Sequence, residues 1–292
     1  MQSSLIYHAG ALGDFITALP AMSAWRAIHP AERIILLGKG TYADLAQPGL
    51  FDEVWEAGSS QFAPLFGSGP SGSEAGLRSR LHGMRSALLF CSASSGLPFN
   101  LTLLGVAEIM RQEPFPTEKV SIIDYHLSLF PHLAISGNDR VPRLRLPDAD
   151  LAVAPGTVAL HPGSGDRKKN WPKERFEELA GRLKSEGCDV RWVLGHAEEE
   201  LVLPAGSREW RNVRLPELAA RLSACRLFVG NDSGIAHLAA AVGCPTVTLF
   251  GDSDPDVWAP CGVNVVVVRA PGTLASLSGE VVFSTCLDFL RR

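Results

Sequence analysis

The chain has 292 residues, of which 46% are apolar and 20% charged, and its formal net charge is −4. That length fits about two domains with ample core. No apolar run reaches the roughly 18 residues of a membrane span. No basic run exceeds Arg167-Lys-Lys169, which argues against a duplex nucleic-acid binder.

The N-terminal segment has no Lys or Arg before Arg26, and Asp14 interrupts its apolar stretch. A mature protein is therefore expected from the first residue rather than a signal peptide. Leu5–Tyr7 reads as a strand that runs into the glycine turn Gly10-Ala-Leu-Gly-Asp14. The helix that follows carries Leu12, Phe15, Ile16, Leu19 and Met22 on one face, with a kink or break expected at Pro20. Arg33–Leu37, Glu53–Glu56 and Ala87–Phe90 are the next strands. Residues 67–76, rich in Gly, Ser and Pro, read as a mobile loop. Residues 137–156 carry several prolines and no helical period, and make the better domain boundary.

Beyond it the alternation resumes. Strands are expected at Thr157–Leu160, Asp189–Leu194, Leu227–Val229, Thr246–Leu249 and Val263–Val268. Helices are expected at Lys173–Ser185, Leu215–Ala224, Ser233–Val242 and Thr273–Leu290. Strand–helix alternation argues for parallel sheets covered by helices, so the expected class is α/β with two doubly wound domains facing a cleft. The six cysteines (Cys91, Cys188, Cys225, Cys244, Cys261, Cys286) show no C-x-x-C and no metal spacing, as expected of thiols in a reducing cytosol.

Three strand-to-helix glycine turns suggest a polyphosphate ligand. The most informative is Gly230-Asn-Asp232-Ser233-Gly234, where Asp, Ser, Gly and then His237 sit at a helix mouth with unpaired N–H groups. Ile235, Leu238, Ala239 and Val242 form its buried stripe, with His237 roughly opposite. The second turn, His161-Pro-Gly-Ser164-Gly165, precedes Lys168 and Lys169. It reads either as a solvated basic loop or as backbone N–H groups and an ammonium around phosphate. It is not a Walker A loop. Asp14 is either a helix cap or a general base. Glu198, Glu199 and Glu200 are either the acidic first turn of a helix or hold an acceptor for ribose hydroxyls. Asp252-Ser-Asp254-Pro-Asp256 looks like a metal-binding D-x-D, yet its turn formers favour a loop.

These motifs add up to a resemblance. Gly10-Ala-Leu-Gly-Asp14 with Leu19-Pro-Ala21, His161-Pro-Gly-Ser-Gly with Lys169-Asn-Trp-Pro172, and Gly230-Asn-Asp-Ser-Gly-x-x-His237 with Leu249-Phe-Gly251 and Trp258 resemble glycosyltransferase family 9, the lipopolysaccharide heptosyltransferases. The resemblance implies a GT-B fold. Residues 1–150 would form an acceptor-side domain, and residues 151–292 a donor-binding domain whose last helix is free to pack back on the first.

It further implies inverting, metal-independent transfer of a heptose from ADP-heptose to a lipopolysaccharide-core or related glycan. No cofactor is expected; the nucleotide-sugar is a substrate. Asp14 matches the base. Ser164, Gly165, Lys169, Asp232, Ser233, Gly234 and His237 match the diphosphate contacts, and Glu198 or Glu199 the ribose ligand. Gly13 and His8 fall on the acceptor side. His8 stands where relatives often carry Arg or Lys, and it either packs under the turn or faces the acceptor as a cation near pH 6.5. The implied partners are a nucleotide-sugar and a glycan or glycolipid, with no nucleic acid. The implied place is the cytoplasm, with a peripheral contact to the inner membrane.

The alternative is a nucleotide-sugar-binding protein of the same fold without transferase activity. A dehydrogenase or epimerase is disfavoured, because G-x-G-x-x-G is missing after the first strand.

Overall fold

The computed structural model describes residues 2–43, 45, 49–67, 75–146 and 153–291. The chain divides into two units. One comprises residues 1–11 and 18–136, the other residues 12–17 and 137–292. The expected boundary at 150/151 and most of the 67–76 loop lie outside the described residues.

The first unit holds a five-stranded parallel sheet. Its strands are β1 (Ser3–His8), β2 (Arg33–Gly38), β3 (Glu53–Glu56), β4 (Met84–Phe90) and β5 (Glu108–Gln112), in the order β3-β2-β1-β4-β5. The helices are α1 (Leu12–Ile28), whose residues 12–17 belong to the second unit, α2 (Gly40–Ala43), α3 (Ala63–Phe66), α4 (Ala75–Arg80), α5 (Leu97–Leu103) and α6 (Ile122–Leu127). One face of the sheet packs Leu5, Ile35, Leu37, Ala87 and Leu89 against Phe62, Leu65, Leu97 and Leu101.

Helix α1 runs unbroken through Pro20, against the expected break. Phe15, Ile16, Ala18, Leu19, Ala21, Met22 and Trp25 are all buried along it. The burial of so many apolar groups outweighs the roughly 3 kcal/mol that an interior proline costs. Trp25 Nε1 adds a 2.7 Å hydrogen bond to Ser4 Oγ on β1.

The second unit holds six parallel strands. They are β6 (Thr157–His161), β7 (Asp189–Leu194), β8 (Arg208–Arg211), β9 (Leu227–Asn231), β10 (Thr246–Phe250) and β11 (Val265–Arg269), in the order β11-β10-β9-β6-β7-β8. Its helices are α7 (Lys173–Ser185), α8 (Leu215–Ser223), α9 (Gly234–Ala241), α10 (Pro255–Trp258) and α11 (Gly279–Leu290). Both sheets therefore wind outward in two directions from a central pair, β1/β4 in one and β6/β9 in the other. Ligands in such sheets bind at the carboxyl ends of that pair, where neighbouring connections leave in opposite directions.

One expected element is divided. The helix expected over Thr273–Leu290 is a 3₁₀ turn at Leu274–Ser276 followed by α11, whose start is set by Ser278 Oγ accepting from Glu280 N at 3.2 Å. The buried face of α11 (Val282, Phe283, Cys286) belongs to the core of the second unit with Phe176, Leu179 and Leu183 of α7. That apolar stripe is filled within the second unit. Strands β5 and β8 escape the sequence reading because they are edge strands, Glu-Ile-Met-Arg-Gln and Arg-Glu-Trp-Arg, whose charges blur the apolar signal. Among the described residues no helix is long and apolar enough to cross a membrane.

Candidate functional site

The site begins where β6 and β9 end side by side, with His161 opposite Gly230. His161 is buried, and its Nδ1 lies 2.9 Å from the Val193 carbonyl of β7. Burial lowers its pKa, against that hydrogen bond and the charge of Glu198. It braces the sheet edge.

The turn after it is self-supported. The Ser164 hydroxyl lies 2.7 Å from Asn170 Oδ1 and 2.6 Å from the Asp166 carbonyl. Asp166 Oδ1 accepts from Lys168 N at 3.0 Å and caps a single 3₁₀ turn, Arg167–Lys169. This turn distinguishes the two lysines. Lys169 Nζ reaches Asp232 Oδ2 at 2.8 Å, with the lysine 42% and the aspartate 9% exposed. Lys169 therefore joins the basic loop to the turn after β9.

That second turn opens α9. Ser233 is its N-cap and accepts from Ala236 N at 3.4 Å. Among the described residues, the N–H groups of Ser164, Gly165, Ser233, Gly234 and Ile235 donate to no protein acceptor. Unpaired N–H groups and the positive end of a helix dipole stabilise an anion. Together with the Lys169 ammonium they suit a phosphate.

His237 corrects the expected two-faced helix. It is 8% exposed, and Ala236 through Ala241 are all buried. Burial takes its pKa down to about 4, against the pull of Asp232 and a hydrogen bond with the Trp258 backbone, while Lys169 adds to the lowering. A neutral imidazole contributes no formal charge to a phosphate at neutral pH.

Gly13 lies against the same helix mouth. A Cβ built on it would stand 3.2 Å from His237 Cδ2 and 3.5 Å from Gly234 Cα, and one built on Gly234 would stand 3.0 Å from Gly13 N. The two glycines lie close together, with little room for a side chain on Gly234. Asp14, the next residue, is the third residue of α1 rather than its cap, and its carbonyl accepts from Thr17 Oγ1 at 3.0 Å.

The acidic run behaves differently along its length. Glu198 Oε2 accepts from Gly195 N at 2.8 Å. A Cβ on Gly163 would meet Glu198 Oε1 at 1.7 Å, so only glycine admits this carboxylate there. A cavity of about 700 Å³ opens beside it, lined among others by Ser164, Gly165, Glu198, Glu199 and Glu200. Ligand pockets commonly span 300–1,000 Å³, roughly the range a nucleotide needs. Lys169, Asp232, Gly234 and His237 lie outside that lining, and so the site has two parts.

His8 is the last residue of β1 and 4% exposed, edge-on to Phe90 at 5.6 Å. Loss of water first, then the charges of His126 and Lys39, push its pKa to about 3. Of the two readings of His8, burial favours a ring that packs under the turn and stays neutral. In the D-x-D segment, Asp254 Oδ1 accepts from Asp256 N at 3.1 Å and caps α10, as its turn formers suggest.

One buried side chain escaped the sequence reading altogether. Asn231 is fully buried at the end of β9 and bonds to both neighbouring segments. Its place in Gly-Asn-Asp-Ser-Gly reads as a turn former, which hides a strand-end role.

The family model for glycosyltransferase family 9 (heptosyltransferase) matches residues 120–279. The chain belongs to this family. Lipopolysaccharide heptosyltransferase 1 of Escherichia coli strain RS218 is 33% identical over 133 residues, covering 43% of this chain and 40% of the relative. The matched part is thus about two fifths of the length of such curated relatives.

Solved structures extend the fold to the whole family 9 chain. Escherichia coli ADP-heptose LPS heptosyltransferase II aligns at TM-score 0.80 and 18% identity over 99% of each chain. An Escherichia coli heptosyltransferase solved with ADP aligns at 0.73 and 20% identity, over 99% of this chain and all of the other. The fold is that of the GT-B heptosyltransferases.

The buried histidines make a prediction. His8 titrates near 3, and His126 and His237 near 4, all depressed by burial. As pH falls through about 6.5 the unfolded chain takes up protons that the folded one refuses, so stability declines from there toward pH 4. Each such group contributes at most about 1.4 kcal/mol per pH unit. Urea unfolding should give a lower midpoint at pH 5 than at pH 7.5, with a smaller difference in His8→Leu. Equal midpoints would mean that the rings are solvated.

Proposed function

We propose that this chain is an inverting, metal-independent glycosyltransferase that moves a sugar, heptose, from ADP-heptose to a lipopolysaccharide-core or related glycan acceptor in the cytoplasm. Family membership supports the reaction class. The observation that carries the reading is the convergence of the Lys169–Asp232 pair, the open mouth of α9 and the Gly13-Asp14 turn.

In this reading the donor diphosphate sits on the N–H groups of Ser164, Gly165, Ser233 and Gly234, and Lys169 turns from Asp232 to a phosphate oxygen. Asp232 is then the counter-ion that holds Lys169 in place, and neutral His237 supports the helix mouth beneath Gly13. The nucleoside occupies the 700 Å³ cavity, with Glu198 and Glu199 toward the ribose hydroxyls. Asp14 takes the proton from the acceptor hydroxyl as that oxygen attacks the anomeric carbon. The bond from that carbon to the diphosphate breaks on the opposite side, which inverts the centre. The nucleoside diphosphate leaves with the electron pair, stabilised by Lys169 and the helix dipole.

Asp14→Asn should abolish transfer while donor affinity and the melting temperature stay near those of wild type, because the amide cannot take a proton at neutral pH. Turnover within a few-fold of wild type would remove Asp14 from the chemistry. Donor binding without transfer in the wild-type protein would leave only the nucleotide-sugar-binding alternative.

Lys169→Ala should weaken donor binding and slow transfer, and EDTA should leave the wild-type rate unchanged. The ammonium and the helix mouth then do the work of a metal ion at the departing diphosphate. Activity that EDTA abolishes and Mg²⁺ or Mn²⁺ restores would count against the metal-independent route.

Nucleotide preference rests on the family alone. ADP should raise the melting temperature more than UDP or GDP at equal concentration, since a specific ligand stabilises by mass action. A larger shift with UDP would reassign the donor.

A further inference from the structure

We infer that Asn231 is a positioning residue that sets the spacing of the two phosphate turns; the inference rests on the donor site proposed above. The side chain is fully buried at the end of β9. Its Oδ1 accepts from Trp171 N at 3.0 Å. Its Nδ2 donates to the Pro162 carbonyl at 2.8 Å and, more weakly, to the Gly163 carbonyl at 3.4 Å.

The placement of these grips matters more than their number. Pro162 lies two residues before Ser164, and Trp171 two residues after Lys169. One amide therefore holds both ends of the segment that carries the proposed phosphate groups. The same residue immediately precedes Asp232, the partner of Lys169, and Ser233, the cap of α9. Two segments about 60 or more residues apart in sequence are held together at a single side chain.

An amide of this length is what the geometry demands. It offers one acceptor and a two-hydrogen donor, and both are used. Aspartate would keep the acceptor for Trp171 N and lose the donor. Leucine would lose both and leave a buried carbonyl and N–H unpaired. Trp171 is independently anchored, with its Nε1 donating to the Leu277 carbonyl at 3.1 Å and its ring edge-on to Phe176. Removing the amide should thus loosen the segment from Pro162 to Asn170 rather than unfold the unit. A displacement of about 1 Å in such a loop can cost up to about 100-fold in a reaction that depends on alignment.

The test compares wild type, Asn231→Ala and Asn231→Ser in the full chain, by calorimetric titration with ADP well below each melting temperature. Serine keeps a polar group at the position and keeps the test open if alanine fails to fold. The expected result is an ADP Kd raised about tenfold in the variants. Combined with Lys169→Ala, the two effects should be less than multiplicative, because both act on the same contact. A lowered melting temperature with an unchanged ADP Kd, or fully multiplicative effects, would make Asn231 a core residue and overturn the inference. If wild type binds none of ADP, UDP or GDP, the donor-site reading falls first and the inference falls with it.

Discussion

In the second unit the parallel pairing of β6 with β9 is the constraint on which the site depends. The chain leaves β6 toward β7 on one side and leaves β9 toward β10 on the other. The two connections diverge, so no crossover covers the end of the central pair. Residues placed at those strand ends have backbone groups that the sheet does not use. His161-Pro-Gly-Ser-Gly and Gly230-Asn-Asp-Ser-Gly fall at these ends, and the register puts His161 opposite Gly230. A shift of one residue in that register would separate Asn231 from Pro162 and Lys169 from Asp232.

The charges at this edge are arranged to be exchanged. Lys169 is 42% exposed in its pair with Asp232, and a pair that open to water is worth about 0–1 kcal/mol. The N–H groups of the α9 mouth are the more permanent component, because the fold fixes them in an arrangement that favours an anion. The ion pair keeps the lysine beside the turn after β9 without holding it strongly. The neighbouring histidines contribute no charge, since burial holds both His161 and His237 below their ordinary pKa.

The sequence made the strand–helix alternation legible because period and glycine punctuation are local signals. Glu53–Glu56, Asp189–Leu194 and Lys173–Ser185 have the limits that their patterns suggest. The edge strands β5 and β8 were not legible, since they carry charge where a central strand carries valine. Nor were the environments of the histidines. His8 and His237 sit beside glycine turns in sequence, and only tertiary packing tells a buried ring from one facing a ligand. Asn231 was hidden for the same reason, because its three partners come from segments about 60 or more residues away. Long-range hydrogen bonds leave no periodic trace.

The glycine turn near the N-terminus illustrates how a distant motif becomes part of one site. Gly13 and Gly234 are separated by most of the chain, yet a Cβ on either would come within 3.5 Å of the other's backbone. A side chain at either position would press on the other segment, which gives a steric reason for glycine in both motifs. Its consequence is chemical. The residue after Gly13 is a carboxylate, and the residues around Gly234 offer N–H groups that favour negative charge. Glycine contact thus brings the Asp14 turn to the end of a helix whose dipole would stabilise a departing anion. In the proposed reading this places the base near the leaving group, as a single displacement step requires.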